Sequence, residues 1–135
     1  RCNSESVPYI AVDEALNSTN SVLLDTRKKE EFEVSHLENA IWVGYRKFSI
    51  DSTLIKIPEK DTPIIVYCSV GVRSEDIGEK LLKAGYTNVK NLYGGLFEWK
   101  NKANPVVDRE GNETDKVHAF NKHWGKLLTN AQKVY

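Results

Sequence analysis

One cysteine, one glycine and one arginine stand close together in Val66-Tyr67-Cys68-Ser69-Val70-Gly71-Val72-Arg73-Ser74. A thiolate is a strong nucleophile, and a guanidinium offers a planar donor fork suited to an oxyanion. The setting matters as much as the residue types. Pro63-Ile64-Ile65-Val66-Tyr67 is continuous, β-branched and apolar, which predicts a strand at the centre of a sheet. Ser74 to Ala84 carries Ile77, Leu81 and Leu82 at helical spacing, with Gly85 as its C-terminal stop. Cys68 therefore falls at the C-terminal end of a buried strand, where open α/β sheets place their ligands. A tight loop feeding a helix turns several N–H groups inward, and that nest with the helix N-terminus favours negative charge. Gly71 admits a backbone conformation that a side chain would hinder. The expected chemistry is a thiolate on Cys68 attacking a substrate beside an anion cradle, with Arg73 supplying fixed positive charge. Against this stands the plainer reading of Cys68 as a small buried hydrophobe. The coincidence of strand end, glycine loop and arginine argues for the nucleophile.

Other residues invite weaker readings. Asp25 and Arg27 close the run Val22-Leu23-Leu24-Asp25 and are expected to pin loops by ion pairing, and Arg27 and Glu31 are four apart if the following helix starts early. The acidic run Glu30-Glu31-Phe32-Glu33 reads as a solvated helix face with Phe32 turned inward. His36 is expected to be structural. His118 and His123 are spaced for neither one helical face nor one strand face, so no metal site is expected. Trp42, Trp99 and Trp124 read as core. Cys2 has three readings: an incidental thiol, a disulfide partner, or a lipid-attachment cysteine. Asn17-Ser18-Thr19 and Asn112-Glu113-Thr114 fit the short glycosylation pattern, which arises often by chance.

The elements that must position this chemistry follow from the rest of the chain. Its 135 residues suit one domain with a core of its own. The apolar fraction is 40% and the charged fraction 28%, ordinary for a globular protein. Nineteen basic residues balance 19 acidic ones, so no overall charge draws the chain to nucleic acid or an anionic membrane. No apolar run reaches the roughly 20 residues needed to span a bilayer. A polar tail over 1–8 precedes a short helix over Asp13 to Leu16, with Val12 and Leu16 on one side. Strands are expected at 21–25, 40–43, 63–67 and 88–92, and helices at 28–34, 74–84 and 96–102. Residues 44–62 read as irregular, anchored by Phe48, Leu54, Ile55 and Ile57. Alternating strands and helices imply an α/β parallel sheet. The tail breaks that rhythm: Pro105-Val106-Val107 and Lys116 to Phe120 read as the two arms of a hairpin, and Asn121 to Lys133 as a terminal helix with Trp124, Leu127 and Leu128 facing the body.

Leu23 to Arg27, Glu31-Phe32 with Ser35 to Ile41, Cys68 to Arg73, and Leu92 to Trp99 are four blocks that together resemble the rhodanese-like family. Leu23-Leu24-Asp25-Thr26-Arg27 is similar to its Asp-x-Arg strand end, and Glu31-Phe32 with Ser35-His36-Leu37-Glu38-Asn39-Ala40-Ile41 to its "EF…GHIPGAINI" block. Cys68 to Arg73 resembles its Cys-x-x-Gly-x-Arg loop, and Leu92-Tyr93-Gly94-Gly95-Leu96-Phe97-Glu98-Trp99 its late "GG…W" block. The resemblance covers about residues 9–107 in family order. It implies a central parallel sheet flanked by helices, of the compact single-domain type. Residues 108–135 lie outside the resemblance and are expected to pack on the same domain as hairpin and helix and complete the fold, with covering a sheet edge or docking a partner as the alternatives. The resemblance also implies a sulfurtransferase in which Cys68 attacks the outer sulfur of a donor such as thiosulfate and passes the resulting persulfide sulfur to cyanide or a thiol. The backbone of Ser69, Val70, Gly71, Val72 and Arg73 would cradle the persulfide, and Arg73 would help bind the donor anion. No metal or organic cofactor is implied. The expected partners are small sulfur-containing anions or thiol and persulfide donors and acceptors, with no nucleic acid and no membrane span, and with the lipid anchor at Cys2 as an open reading.

Ser35 and Asn39 stand where the family often has glycine, and asparagine tolerates the left-handed conformation. Val70 and Val72 leave the loop less basic than in many members. Three alternatives stay open: a persulfide carrier without turnover, a non-catalytic interaction module, and a Cys-based phosphatase or arsenate reductase. The last uses Cys-x-x-x-x-x-Arg with His before the cysteine. Here only Ser69, Val70, Gly71 and Val72 intervene and Tyr67 precedes, which makes the cradle smaller. A start at Arg1 beside Cys2 leans toward the cell envelope, with the cytoplasm as the alternative.

Overall fold

The computed structural model describes residues 7–18 and 20–135, so the readings of Cys2 and of the site completed by Thr19 lie outside the described residues. Five parallel strands form the central sheet: β1 (Tyr9–Ile10), β2 (Val22–Asp25), β3 (Ile41–Trp42), β4 (Ile64–Tyr67) and β5 (Val89–Leu92), in the order β1-β5-β4-β2-β3. β4 lies in the middle, as its composition predicts, and all four of its residues are buried. Ile64 and Val66 face one core cluster while Ile65 and Tyr67 face another, the period-2 alternation of a strand covered on both sides.

Helix α1 (Val12–Leu16) follows β1, and α2 (Lys29–Val34) follows β2. The span expected to be irregular contains α3 (Ile50–Lys56), capped by Ser49 Oγ, which accepts the Ser52 N–H at 3.2 Å. Its single N-cap and short length gave little periodic signal. Ile57 is buried, but Ile55 is 81% exposed and anchors nothing. Leu16, expected beside Val12, is also largely exposed. α4 (Val72–Lys83) begins two residues earlier than predicted and buries Ile77 and Leu81 on one face of the sheet. α5 (Gly95–Asn101) follows β5 on the other face.

The tail departs from its prediction. β6 (Val106–Val107) pairs antiparallel with β7 (Glu113–Thr114), not with the segment after it. β8 (Lys116–His118) instead pairs parallel with β9 (Gln132–Val134). The expected terminal helix is one turn, α6 (Lys122–Gly125), and the chain then returns to extended structure. Leu127 is exposed, whereas Leu128 is fully buried. Helical propensity over 121–133 yields to strand pairing because β8 has a free edge that β9 satisfies. Val117, Ala119 and Leu128 join the same core cluster as Tyr67, Leu96 and Phe97, so these residues bury part of the sheet's α5 side.

Two features hold the end of β4 where the loop begins. The first is a buried polar cluster. The Asp25 carboxylate accepts the Arg27 side chain at 2.7 and 3.0 Å, the Arg27 backbone N–H at 2.9 Å and the Tyr67 hydroxyl at 2.8 Å. Tyr67 Oη in turn accepts the Leu37 N–H, and Arg27 donates to the Ser35 carbonyl. Burial alone would lower the Arg27 pKa, but the Asp25 charge and hydrogen bonds outweigh it and hold it above its ordinary value. Burial, with the Asp25 charge, pushes the Tyr67 phenol well above its usual range. The expected i, i+4 pair of Arg27 with Glu31 does not form, because the fork of Arg27 is committed to Asp25.

The second feature is the seat of α5 under the loop. The N–H groups of Leu96 and Phe97 donate to the carbonyls of Cys68 and Ser69 at 2.9 and 3.1 Å. Gly95 has φ +64°, and a Cβ there would sit 2.5 Å from the Cys68 carbonyl oxygen. Only glycine allows this approach.

Asp25→Ala is expected to destabilise the protein by about 3–5 kcal/mol, since it strands a buried guanidinium. Adding Arg27→Met should recover part of that loss in urea denaturation, because it removes the uncompensated charge. Gly95→Ala should cost about 2 kcal/mol or more through overpacking and backbone strain. It should also speed alkylation of Cys68 by iodoacetamide, because the loop loses its anchors; unchanged alkylation would show that α5 does not hold the loop.

Candidate functional site

Cys68 is the first residue after β4, and its side chain is fully buried. Two groups among the described residues hydrogen-bond its sulfur: the Gly71 N–H at 3.0 Å and Ser74 Oγ at 3.4 Å. Gly71 has φ +107°, and a Cβ there would meet only the Leu92 carbonyl at 3.9 Å. Its need for glycine is therefore conformational, whereas that of Gly95 is also spatial. No peptide bond among the described residues is cis. With the Cys68 and Ser69 carbonyls turned onto α5, planar trans geometry aims the N–H groups of Ser69 and Val70 the opposite way. The first two peptides of the loop thus turn their donors to the side opposite α5.

Ser74 belongs to a buried chain of polar groups. Asn91 Nδ2 donates to the Gly71 carbonyl at 3.0 Å and to Glu75 Oε1 at 3.4 Å, which leaves Asn91 Oδ1 facing Ser74 Oγ at 2.6 Å. The Ser74 hydroxyl has a single proton, so it serves either Asn91 or the sulfur at any moment. When it serves Asn91, Ser74 Oγ can accept from a Cys68 thiol; when it turns to the sulfur, it can stabilise a thiolate. Sequence reasoning missed Ser74 and Asn91 as members of the site. The signal available was a polar residue in a strand and another at the start of a helix; that both are fully buried appears only in the folded chain.

Arg73 stands beside the cysteine but is not free. Its Nη1 and Nη2 donate to the two carboxylate oxygens of Glu31 at 3.1 and 3.3 Å, and Nη2 also reaches Ser69 Oγ at 3.2 Å. Ser69 Oγ donates to Glu31 Oε2 at 3.1 Å. Glu31 is fully buried, which corrects the reading of Glu30 to Glu33 as a solvated face. That run splits: Glu30 and Glu33 are exposed, while Glu31 turns to Arg73. Burial would raise the Glu31 pKa, but hydrogen bonds and charge from Arg73, with a further contribution from Arg27, bring it below its ordinary value. Phe120 and Trp124 lie over the guanidinium at 4.9 and 5.9 Å. Trp124 therefore serves the site as well as the core.

The remaining expected cradle residues differ in role. Val70 packs against the core and Val72 is half-exposed, and among the described residues neither backbone N–H is bonded to the sulfur. His36 is structural: Nδ1 bonds the Phe32 carbonyl at 2.9 Å and the ring stacks on Phe32 at 3.8 Å. Asn39 takes φ +68°, the left-handed conformation expected of it, while Ser35 is extended and needs no glycine. Among the described residues no group of histidine, cysteine and carboxylate side chains could hold a metal ion, and no helix is long and apolar enough to cross a membrane.

This geometry has counterparts. A model of the rhodanese-like domain matches residues 11–102. The adenylyltransferase and sulfurtransferase UBA4 of Candida albicans is 34% identical over 98 residues, which are 69% of this chain but 22% of that protein. The thiosulfate sulfurtransferase GlpE of Coxiella burnetii is 26% identical over 108 residues, 80% of this chain and 97% of that one. The chain thus spans less than a quarter of UBA4 and nearly all of GlpE. A solved thiosulfate sulfurtransferase from Pseudomonas aeruginosa shares the fold with a TM-score of 0.70 at 21% identity, covering 90% of this chain and 23% of that one. The parallel sheet, the glycine-containing loop after its central strand and the match over most of the sequence make this chain a member of the rhodanese-like family.

Proposed function

We propose that this protein is a sulfurtransferase that carries sulfane sulfur as a persulfide on Cys68. The observation that carries the reading is the Gly71 N–H at 3.0 Å from Sγ, in a loop whose first two carbonyls are drawn onto α5. A donor such as thiosulfate would be attacked at its outer sulfur by the Cys68 thiolate. The donor's S–S bond breaks, sulfite leaves with the bonding pair, and Cys68 keeps the outer sulfur as a persulfide. A thiophilic acceptor, cyanide or a thiol, then takes that sulfur and restores the thiolate. Ser69, Val70, Gly71, Val72 and Arg73 would supply the backbone donors of the cradle, and Ser74 a hydroxyl. The family membership and the likeness to GlpE support sulfur transfer over the other Cys-based chemistries. The four-residue gap from Cys68 to Arg73 supports a cradle for sulfur over one for phosphate or arsenate.

The Glu31–Arg73 pair gives the loop a cation already partly neutralised by a buried carboxylate. That arrangement suits a site that must bind a dianionic donor and then release sulfite.

Incubation with thiosulfate should raise the intact mass by one sulfur atom, and cyanide should discharge it as thiocyanate. Cys68→Ser should abolish both, whereas Cys2→Ser should abolish neither. Absence of a sulfur adduct on wild type would overturn the reading. Glu31→Gln should lower KM for thiosulfate, since Arg73 is no longer neutralised, at a stability cost of about 3 kcal/mol. The pH dependence has a definite sign. The folded-state Glu31 pKa is depressed, so its stabilisation is present above the unfolded carboxylate value near 4.3 and is lost as pH falls through the lower folded value. Acid denaturation curves should therefore show less loss of stability for Glu31→Gln than for wild type.

A further inference from the structure

A cavity of about 360 Å³ opens beside the loop, with Arg73 as the wall it shares with the site. Its charge is lopsided in a chain whose total is balanced. Lys28 and Lys29 line it from the start of α2, and Arg46 and Lys47 from the segment after β3, against one carboxylate, Glu30. Among the described residues no carboxylate is ion-paired with any of these four cations. Arg73 is paired with Glu31, so the positive charge in the cavity without a carboxylate partner comes from the other four.

The walls between the charges are aromatic. Lys29 Nζ lies 5.1 Å from the Trp42 ring centroid, and Lys28 Nζ lies 5.3 Å from that of Phe120. Trp42, expected in the core, is held by its indole N–H on the Arg27 carbonyl and forms a wall of this cavity. Phe120 comes from beyond the matched domain, which ends at residue 102. It takes φ +71°, a conformation costly for a bulky residue, and its N–H is held by His118 Nδ1 at 3.0 Å. The C-terminal segment thus maintains a strained backbone that places an aromatic ring over Arg73. The volume falls in the range of roughly 300–1,000 Å³ found for organic ligands, and a five-atom inorganic anion would leave most of it empty.

We propose that this cavity binds the body of an organic sulfur anion, with its anionic group on the Lys28, Lys29, Arg46 and Lys47 side and a flat apolar group against Trp42 and Phe120. Its use as a substrate site rests on the sulfur-transfer reading; the binding itself does not. Two sources share this chemistry. An organic thiosulfonate would act as donor: the Cys68 thiolate attacks its outer sulfur, the S–S bond breaks, and the organic sulfinate leaves with the bonding pair. An anionic organic thiol, its proton already lost to water, would act as acceptor: its thiolate attacks the outer sulfur of the persulfide, a new S–S bond forms, and the Cys68 thiolate leaves.

The test uses the full chain, reduced. Calorimetric titration with benzenesulfonate, methanesulfonate and benzyl alcohol should show benzenesulfonate binding at least about tenfold tighter than either of the others. The double variant Arg46→Glu/Lys47→Glu changes two exposed residues, and its melting temperature checks the fold; it should lose that binding. Phe120→Leu should bring benzenesulfonate down toward methanesulfonate. Equal binding of the three probes, or binding indifferent to the charge reversal, would overturn the proposal. For turnover, the ratio of kcat/KM for benzenethiosulfonate over thiosulfate, and separately the rate of persulfide discharge to 4-mercaptobenzoate over cyanide, should be compared between wild type and the double variant. A fall of about tenfold in the first ratio assigns the cavity to the donor, and in the second to the acceptor; no fall in either overturns its substrate role. If thiosulfate loads no sulfur on wild type while benzenesulfonate binds as expected, sulfur transfer fails and the cavity stands. If sulfur loads but the probes bind alike, the cavity alone fails.

Discussion

Two hydrogen bonds, from the N–H groups of Leu96 and Phe97 to the carbonyls of Cys68 and Ser69, set the polarity of the loop. A peptide plane points its N–H and C=O in opposite directions, so capturing the carbonyls on α5 commits the donors to the other side. Nothing in the loop's own sequence enforces this. It depends on Gly95 letting a helix approach within a distance at which any side chain would collide. The donor-bearing side of the loop is thus set by partners 28 residues later in the chain, and Gly71 then completes the turn that brings one donor onto the sulfur.

Around that loop the charges are arranged in pairs with different duties. Asp25 and Arg27 are both fully buried and serve the frame, tying the ends of β2 and β4 to the segment that leads to β3. Glu31 and Arg73 form a second pair at the edge of the site, with Arg73 slightly exposed and Glu31 not. Removing either partner of the first pair would strand a buried charge. The second pair partly neutralises a cation near Cys68. The same residue types four positions apart in sequence, Arg27 and Glu31, do not meet, because each has a better partner elsewhere.

The segment after the matched domain changes what the site can meet. Phe120 and Trp124 stack on Arg73, and Val117, Ala119 and Leu128 fix the segment into the core cluster that also holds α5. The extension therefore shares a foundation with the loop while forming one wall of the cationic, aromatic cavity beside it.

Several features were legible in the residues alone. β4 announced itself by an unbroken β-branched run, Cys68 by its place at that run's end, and α4 by the spacing of Ile77 and Leu81. Asp25 and Arg27 were readable as a loop-pinning pair because they close a strand. Each of these is a local pattern, or a pattern within one element, and the four family blocks add their order along the chain. What the sequence could not decide depended on partners far away in the chain. Glu31 sits in an acidic run and reads as solvated until folding brings Arg73 and Ser69 to it. Ser74 and Asn91 become part of the cysteine's surroundings only when β5 lies beside α4. Residues 121–133 have helical character, yet β9 forms because β8 presents an unpaired edge. Local periodicity encodes which face of an element is buried; which polar group meets which, and which edge is left to pair, are settled only when the elements pack.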